Sequence, residues 1–241
     1  MPSLVGSEMC IRDRGNFING KKDGQWFFYY NATWDSPYDG SVDQMLTFKN
    51  DKTNGLANNW YKNGVKEAEG NLKNDNPIGS WTFWHKNGEK KSEEYYKIFS
   101  QNDNGDESLK DGVYTDWHEN GEKKSEGKFK SGEKVGQWVS WYDNGKKENQ
   151  GSFENGNLTG LWTFWHENGK KKSEEHYKIF SRFYGGRKII NGDESLKDGL
   201  YTDYHENGAK KSEGTFIEGY KYKNWIFWYE NGQKSREGKY T

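Results

Sequence analysis

Histidine is the first residue type to weigh for chemistry, because imidazole can serve as a general base or metal ligand near neutral pH. His85, His118, His166 and His205 fall at one recurring position, just after an aromatic residue and two places before an Asn-Gly pair. Elsewhere the same position holds Tyr61, Tyr142 and Tyr229. A catalytic base or metal ligand does not keep its role when exchanged for tyrosine, so these histidines read as structural ring positions. His176, which matches Tyr95, is read the same way. The stretches Asp103-Asn104-Gly105-Asp106-Glu107 and Asn191-Gly192-Asp193-Glu194 are rich in oxygen ligands. They lack the spacing and closing glutamate of an EF-hand loop, so a solvated turn is the reading and a weak calcium site the alternative. No Gly-Lys-Ser/Thr phosphate cradle and no nucleophile elbow occurs. The sequence therefore points to no catalytic residue, metal site or cofactor, and to a protein that is not an enzyme. One feature has the character of a binding element. Trp60, Trp84, Trp117, Trp141, Trp165, Tyr204 and Trp228 recur among charged residues. Rings so spaced could stack on sugars or grip an extended peptide. Alternatively, lysine stems and cation–π contacts cover them.

The elements that carry these residues are set by a period. A periodic set of Asn-Gly pairs lies at Asn63, Asn87, Asn120, Asn144, Asn168, Asn207 and Asn231, with a spacing of 24 residues interrupted by one gap of 33 and one of 39. A fixed period in this range signals a repeat array. Aromatic and β-branched residues on both sides of Asn-Gly predict hairpins closed by a two-residue type I′ turn. That turn places Tyr142 opposite Lys147, Trp141 opposite Glu148, and Trp138 opposite Gly151. The same count sets Tyr114 against Gly127, Tyr201 against Gly214 and Trp225 against Gly238. A ring across from glycine can lie on bare backbone. Trp81 and Trp162 break the pattern by facing Glu94 and Glu175. Strand alternation puts Trp138, Ser140, Tyr142, Gly151 and Phe153 on one apolar packing face. The ring ladder lies on the other, opposite Glu67, Lys91, Lys124, Glu148, Lys172, Lys211 and Ser235. The expected fold is all-β: an elongated array of about eight antiparallel hairpins with little or no helix. Trp26–Tyr30 reads as a decayed first copy, followed by an irregular stretch around Pro37.

The two long gaps belong to a larger duplication. Trp81-Thr82-Phe83-Trp84-His85 recurs at Trp162–His166, and Tyr96-Lys97-Ile98-Phe99-Ser100 at Tyr177–Ser181. Extended segments near 97–110 and 178–197 are expected to protrude as flaps carrying Phe99, Phe180, Phe183 and Tyr184. Loops added to one edge of a repeat array often bind, and tolerated surface insertion is the alternative.

Composition agrees with a thin array. The 241 residues are 30% hydrophobic and 17% aromatic, with 30 glycines. Few aliphatic side chains are available for a thick core, whereas repeats pack only on their neighbours. The 36 basic and 37 acidic residues nearly cancel, so no net field favours nucleic acid. No apolar run approaches the roughly 20 residues of a transmembrane helix. Residues 1–14 show none of the repeat spacing and resemble a translated sequencing adapter, so they are set apart. The single cysteine, Cys10, lies within them. Composition leaves the compartment open between the cytoplasm and, if a signal peptide precedes the true N-terminus, the periplasm or cell envelope. Residues 15–241 are expected to form a single array.

The unit Trp162-Thr163-Phe164-Trp165-His166-Glu167-Asn168-Gly169-Lys170-Lys171-Lys172-Ser173-Glu174 resembles the bacterial variant of the MORN repeat, and in particular the YwqK family of toxin–antitoxin antitoxins. The resemblance spans about residues 24–240. It implies a non-enzymatic hairpin array that scaffolds or binds a protein partner, with toxin neutralisation suggested by the family name, and it brings no catalytic residues. The competing expectation is a cell-envelope protein that holds glycan or peptide ligands on the ring ladder.

Overall fold

A computed structural model describes residues 13–30, 41–101, 105–181, 183–184, 187–188 and 194–241. Cys10, the stretch around Pro37, Asp103-Asn104 and Asn191-Gly192-Asp193 lie outside the described residues. The chain divides into two compact units, Met1–Leu109 and Lys110–Thr241. The first holds strands β1 (Asp13–Ile18), β2 (Lys21–Tyr29), β3 (Val42–Lys49), β4 (Lys52–Trp60), β5 (Lys66–Lys73), β6 (Asn76–Trp84) and β7 (Lys90–Gln101), with β8 (Gly105–Lys110) ending at the boundary. The strands β1 to β7 pair antiparallel in chain order. Asp13 and Arg14, set apart on sequence grounds, pair with Phe28 and Phe27.

The second unit holds β9 (Gly112–Trp117), β10 (Lys123–Lys130), β11 (Glu133–Trp141), β12 (Lys147–Glu154), β13 (Asn157–Trp165), β14 (Lys171–Phe180), β15 (Phe183–Tyr184), β16 (Arg187–Lys188), β17 (Glu194–Tyr204), β18 (Lys210–Ile217), β19 (Tyr220–Trp228) and β20 (Lys234–Tyr240). Here β15 pairs only with β16, and the other strands form an antiparallel ladder in chain order. No helix occurs among the described residues. The all-β hairpin architecture is therefore as the period implies.

The turns differ from expectation. At Asn144-Gly145 only the glycine has positive φ, 76°. Gly145 N–H donates to the Tyr142 carbonyl at 3.0 Å, and Tyr142 N–H to the Lys146 carbonyl at 2.9 Å. This is a three-residue loop, a type I turn completed by a left-handed glycine. The Asn144 side chain favours it by accepting the Lys146 N–H at 3.0 Å. The extra loop residue slips the register between Ser140 and Trp141. Trp141 therefore faces Lys147 rather than Glu148. By the same slip Trp60, Trp84, Trp117, Trp165, Tyr204 and Trp228 face Lys66, Lys90, Lys123, Lys171, Lys210 and Lys234. Type I′ geometry sits at the opposite strand ends. Ser131-Gly132, Asn155-Gly156 and Glu218-Gly219 each have positive φ at both central positions.

Away from the turns the counted register holds. Trp138 pairs with Gly151, Tyr114 with Gly127, Tyr201 with Gly214 and Trp225 with Gly238. Trp81 and Trp162 pair with Glu94 and Glu175. Yet the ring that covers Gly127, Gly151 and Gly214 comes from the following hairpin. A Cβ added at Gly127 would lie 2.3 Å from the Trp138 ring, and one at Gly151 would lie 2.2 Å from Trp162. Gly70 lies under Trp81 and Gly214 under Trp225 in the same way. The register of the inter-hairpin ladder shifts at each of these glycines. The indole N–H then reaches the next carbonyl along: Trp81 to Asn71, Trp138 to Lys128, Trp162 to Ser152 and Trp225 to Thr215, at 3.1–3.2 Å.

These rings form the core. Trp138, Trp162 and Trp225 are 2%, 3% and 1% exposed, and Phe129, Phe153 and Phe216 meet them edge to face. In the first unit Trp81 packs with Ala57 and Ala68. Gly151→Ala should cost about 1–3 kcal/mol or more, because the methyl group meets a buried indole rather than a flexible chain. Gly238, where the nearest atom to an added Cβ is 3.4 Å away, should accept alanine with little change. Urea denaturation of the two variants measures the difference, and equal stability would contradict the packing described.

Candidate functional site

The ring ladder lies on the face opposite the buried indoles, and each of its rings is half-buried. A lysine from the preceding hairpin covers several of them. Lys66 Nζ lies 5.6 Å from the Trp84 ring centroid, Lys123 5.7 Å from Trp141, Lys147 5.7 Å from Trp165 and Lys210 5.3 Å from Trp228. Tyr204 instead donates to Glu174 Oε2 at 3.1 Å. Three of these lysines hold a carboxylate three residues on, as in Lys123–Glu126 at 2.7 Å and Lys210–Glu213 at 2.5 Å, and Lys147 donates to the Gln150 amide oxygen at 2.8 Å. Exposed pairs of this kind add little stability singly, but the lysine occupies space beside the ring. The ladder is thus a repeating stack of ring, lysine and a glutamate or glutamine.

Three of the periodic histidines tie neighbouring hairpins together. Nε2 of His118 lies 2.9 Å from the Trp141 carbonyl, and that of His205 lies 3.0 Å from the Trp228 carbonyl. His166 reaches the Tyr204 carbonyl at 3.3 Å. Tyr61 and Tyr142 donate their hydroxyls to the carbonyls of Trp84 and Trp165, both at 2.8 Å. Since the acceptor is a carbonyl, imidazole must present N–H there, so histidine and tyrosine are exchangeable donors. The periodic asparagines add a second tie. Asn144 Nδ2 donates to the Glu167 carbonyl at 3.0 Å and Asn207 Nδ2 to the Glu230 carbonyl at 2.8 Å.

Sequence reasoning missed a buried charged centre. Glu175 stands where other repeats have the covered glycine, and is 8% exposed. It accepts from Ser173 Oγ at 2.9 Å and Tyr177 Oη at 2.6 Å, and pairs with Lys197 Nζ at 2.9 Å. Lys197 also lies over the Tyr201 ring at 4.6 Å. Burial, followed by the hydrogen bond to Glu175, pushes the Tyr177 hydroxyl above its ordinary range. The signal was present in sequence: where the glycine becomes Glu94 or Glu175, the next repeat carries Tyr114 or Tyr201 in place of tryptophan.

Of the residues expected on flaps, Phe99 lies under Lys97 and Phe180 under Lys178, each with 5.5 Å between Nζ and ring centroid. Phe183 and Tyr184 form β15. No group of three histidine, cysteine or acidic side chains among the described residues could hold a metal ion. No helix there is long and apolar enough to cross a membrane.

Hairpins tied edge to edge by ring donors and asparagine amides define the class: an all-β repeat protein. Five segments, residues 77–97, 110–131, 134–155, 158–178 and 197–218, match the MORN repeat variant family. MORN repeats are a non-enzymatic repeat type and typically serve interaction or scaffolding. No curated protein matches the chain. One solved structure, "Crystal Structure of TcdB2-TccC3-Cdc42", is similar at 8% identity and a TM-score of 0.22, over 89% of this chain and 15% of that chain. This chain therefore spans a small part of that one, and a likeness so low carries no argument about function.

Replacing His118 by tyrosine should leave stability nearly unchanged, because the hydroxyl can donate to the same carbonyl. His118→Ala should cost about 1 kcal/mol, the net worth of a typical hydrogen bond. Chemical denaturation at one pH distinguishes the two, and a tyrosine variant as weak as the alanine variant would contradict the shared donor function.

Proposed function

We propose that the chain is a non-enzymatic scaffold that binds a protein partner, and that it neutralises this partner in the manner of an antitoxin or immunity protein. The observation that carries the first part is an apolar surface that the repeat does not require. In the second unit Leu161, Leu200, Ile217 and Tyr220 are 49%, 70%, 43% and 80% exposed. They neighbour Trp162, Tyr201, Phe216 and Lys221, whose side chains serve the aromatic face, so by alternation they lie on the opposite face. Leu200 pairs with Thr215, and Ile217 with Tyr220 across the turn. The equivalents of Ile217 and Tyr220 in the two preceding period-24 repeats are Lys130 and Glu133, and Glu154 and Asn157. Exposed apolar groups that replace charged or polar residues on a repeat scaffold, as Ile217 and Tyr220 do, mark an interaction surface. The resemblance to bacterial YwqK antitoxins supports the second part.

Glycan binding at the cell envelope through the ladder has less support. Sugar stacking needs an open ring face, and Lys123, Lys147 and Lys210 stand over Trp141, Trp165 and Trp228.

Co-purification with the product of the adjacent gene tests the proposal. The wild-type chain should retain that product. The double variant Leu200→Asp, Tyr220→Asp should lose it by about 30-fold or more in Kd, the scale of one central anchor, with an unchanged circular dichroism spectrum. Failure of the wild-type chain to hold the product, or equal binding by the variant, would overturn it.

A further inference from the structure

A cavity of about 230 Å³ opens on the aromatic face where β17, β18 and β19 adjoin. Its apolar wall is Phe216, Trp225 and Phe227, and its polar groups are Tyr201, Asp203, Lys211, Ser212 and Lys221. Most of these polar groups are donors. Lys211 Nζ is paired with Asp203 Oδ2 at 3.2 Å, which leaves those two charges balanced. Lys221 is half-buried and lies 4.3 Å from the Trp225 ring centroid and 5.1 Å from that of Phe227, without a carboxylate partner among the described residues. Ser212 is 6% exposed, and its hydroxyl has no hydrogen-bond partner among the described residues although it lines the cavity. Burial and the nearby Asp203 and Glu175 keep the Tyr201 hydroxyl protonated.

The corresponding place three hairpins earlier is bonded differently. There Ser125 Oγ donates to Asp116 Oδ1 at 2.5 Å, and Ser140 stands in place of Phe227. At Asp203 the carboxylate turns to Lys211 and to the Tyr204 N–H instead, so the serine hydroxyl is left facing the cavity. A partly desolvated ammonium with no counter-ion, beside unused hydroxyl donors and an aromatic wall, suits one negative charge joined to an apolar group.

We infer that this cavity binds a monocarboxylate with an aromatic or branched apolar end. The carboxylate meets Lys221, Ser212 and Tyr201, and the apolar end lies on Trp225 and Phe227. The cavity is large enough for about one amino-acid side chain. The carboxylate can come from a free organic acid or from the C-terminal residue of a polypeptide, which share this chemistry. The site lies on the face opposite Leu200 and Tyr220 and does not rest on the partner-binding proposal.

Isothermal titration of the whole chain with 3-phenylpropanoate, with the peptide Gly-Gly-Gly-Phe, and with the same peptide amidated at its C-terminus tests the inference. Saturable binding of either free carboxylate, with none of the amide, supports it. The stronger of the two ligands identifies the source. Lys221→Met should weaken that binding by about ten-fold, the scale of one charge-assisted hydrogen bond. Lys134→Met, which removes an ammonium stacked on Trp138 at 4.2 Å, should bind as the wild type does. If Lys221→Met disturbs the fold by circular dichroism, Ser212→Ala takes its place with the same expectation. No saturable binding of either carboxylate, equal binding of the amide, or full affinity in the variant that retains its fold would overturn the inference. Because no protein partner is used, this outcome is separate from co-purification.

Discussion

The contact on which the array depends is an indole laid over a glycine of the preceding hairpin. It does three things at once. The ring buries a large apolar area on a strand with no side chain of its own. Its N–H satisfies the carbonyl next to the glycine. The shift of register at that glycine fixes where the next hairpin starts. Such a hairpin is therefore held by the one before it. This is how a chain of only 30% hydrophobic residues closes a core. Lysine completes the packing. Lys134 lies over Trp138 and Phe153, and burial lowers its pKa.

The hairpins that precede the long gaps solve the same packing problem differently. Glutamate fills the glycine position, and the smaller tyrosine follows it. In the second unit the buried Glu175 is neutralised by Lys197 and held by Ser173 and Tyr177. A buried carboxylate is tolerated only when its charge and lone pairs are met. The next hairpin along carries a similar device in reduced form, the Asp203–Lys211 pair. There the unmatched serine and lysine open the cavity inferred above to bind a carboxylate. The polar variation of the array is thus concentrated on its aromatic face, and the apolar variation on the opposite face.

Much of this was legible in the chain. The Asn-Gly period gave the hairpins, and counting outward paired Trp138 with Gly151 correctly. Two steps failed for physical reasons. Asn-Gly suits both a two-residue type I′ loop and the three-residue loop found, and one extra residue moves Trp141 from Glu148 to Lys147. The actual type I′ turns lie at the other strand ends, some at Asn-Gly pairs outside the period such as Asn155-Gly156 and others at weaker signals such as Ser131-Gly132 and Glu218-Gly219. Counting also reveals partners only within a hairpin, whereas the ring over Gly151 arrives from the next one. The exchange of histidine for tyrosine could be read as structural from sequence. Its cause, a shared donor to one carbonyl, required the neighbouring strand. The cavity was out of reach because three strands contribute to it.

The central claim is that ring size and the residue beneath the ring are coupled between hairpins. A double-mutant cycle on Glu175→Gly and Tyr201→Trp, read by urea denaturation, tests it most directly. Each single change should destabilise the array, the first by leaving Lys197 without its carboxylate, the second by forcing an indole against a filled position. Together they rebuild the Gly127–Trp138 arrangement, so the double variant should recover most of the loss, with a coupling of about 1–3 kcal/mol. Additive losses would contradict the account.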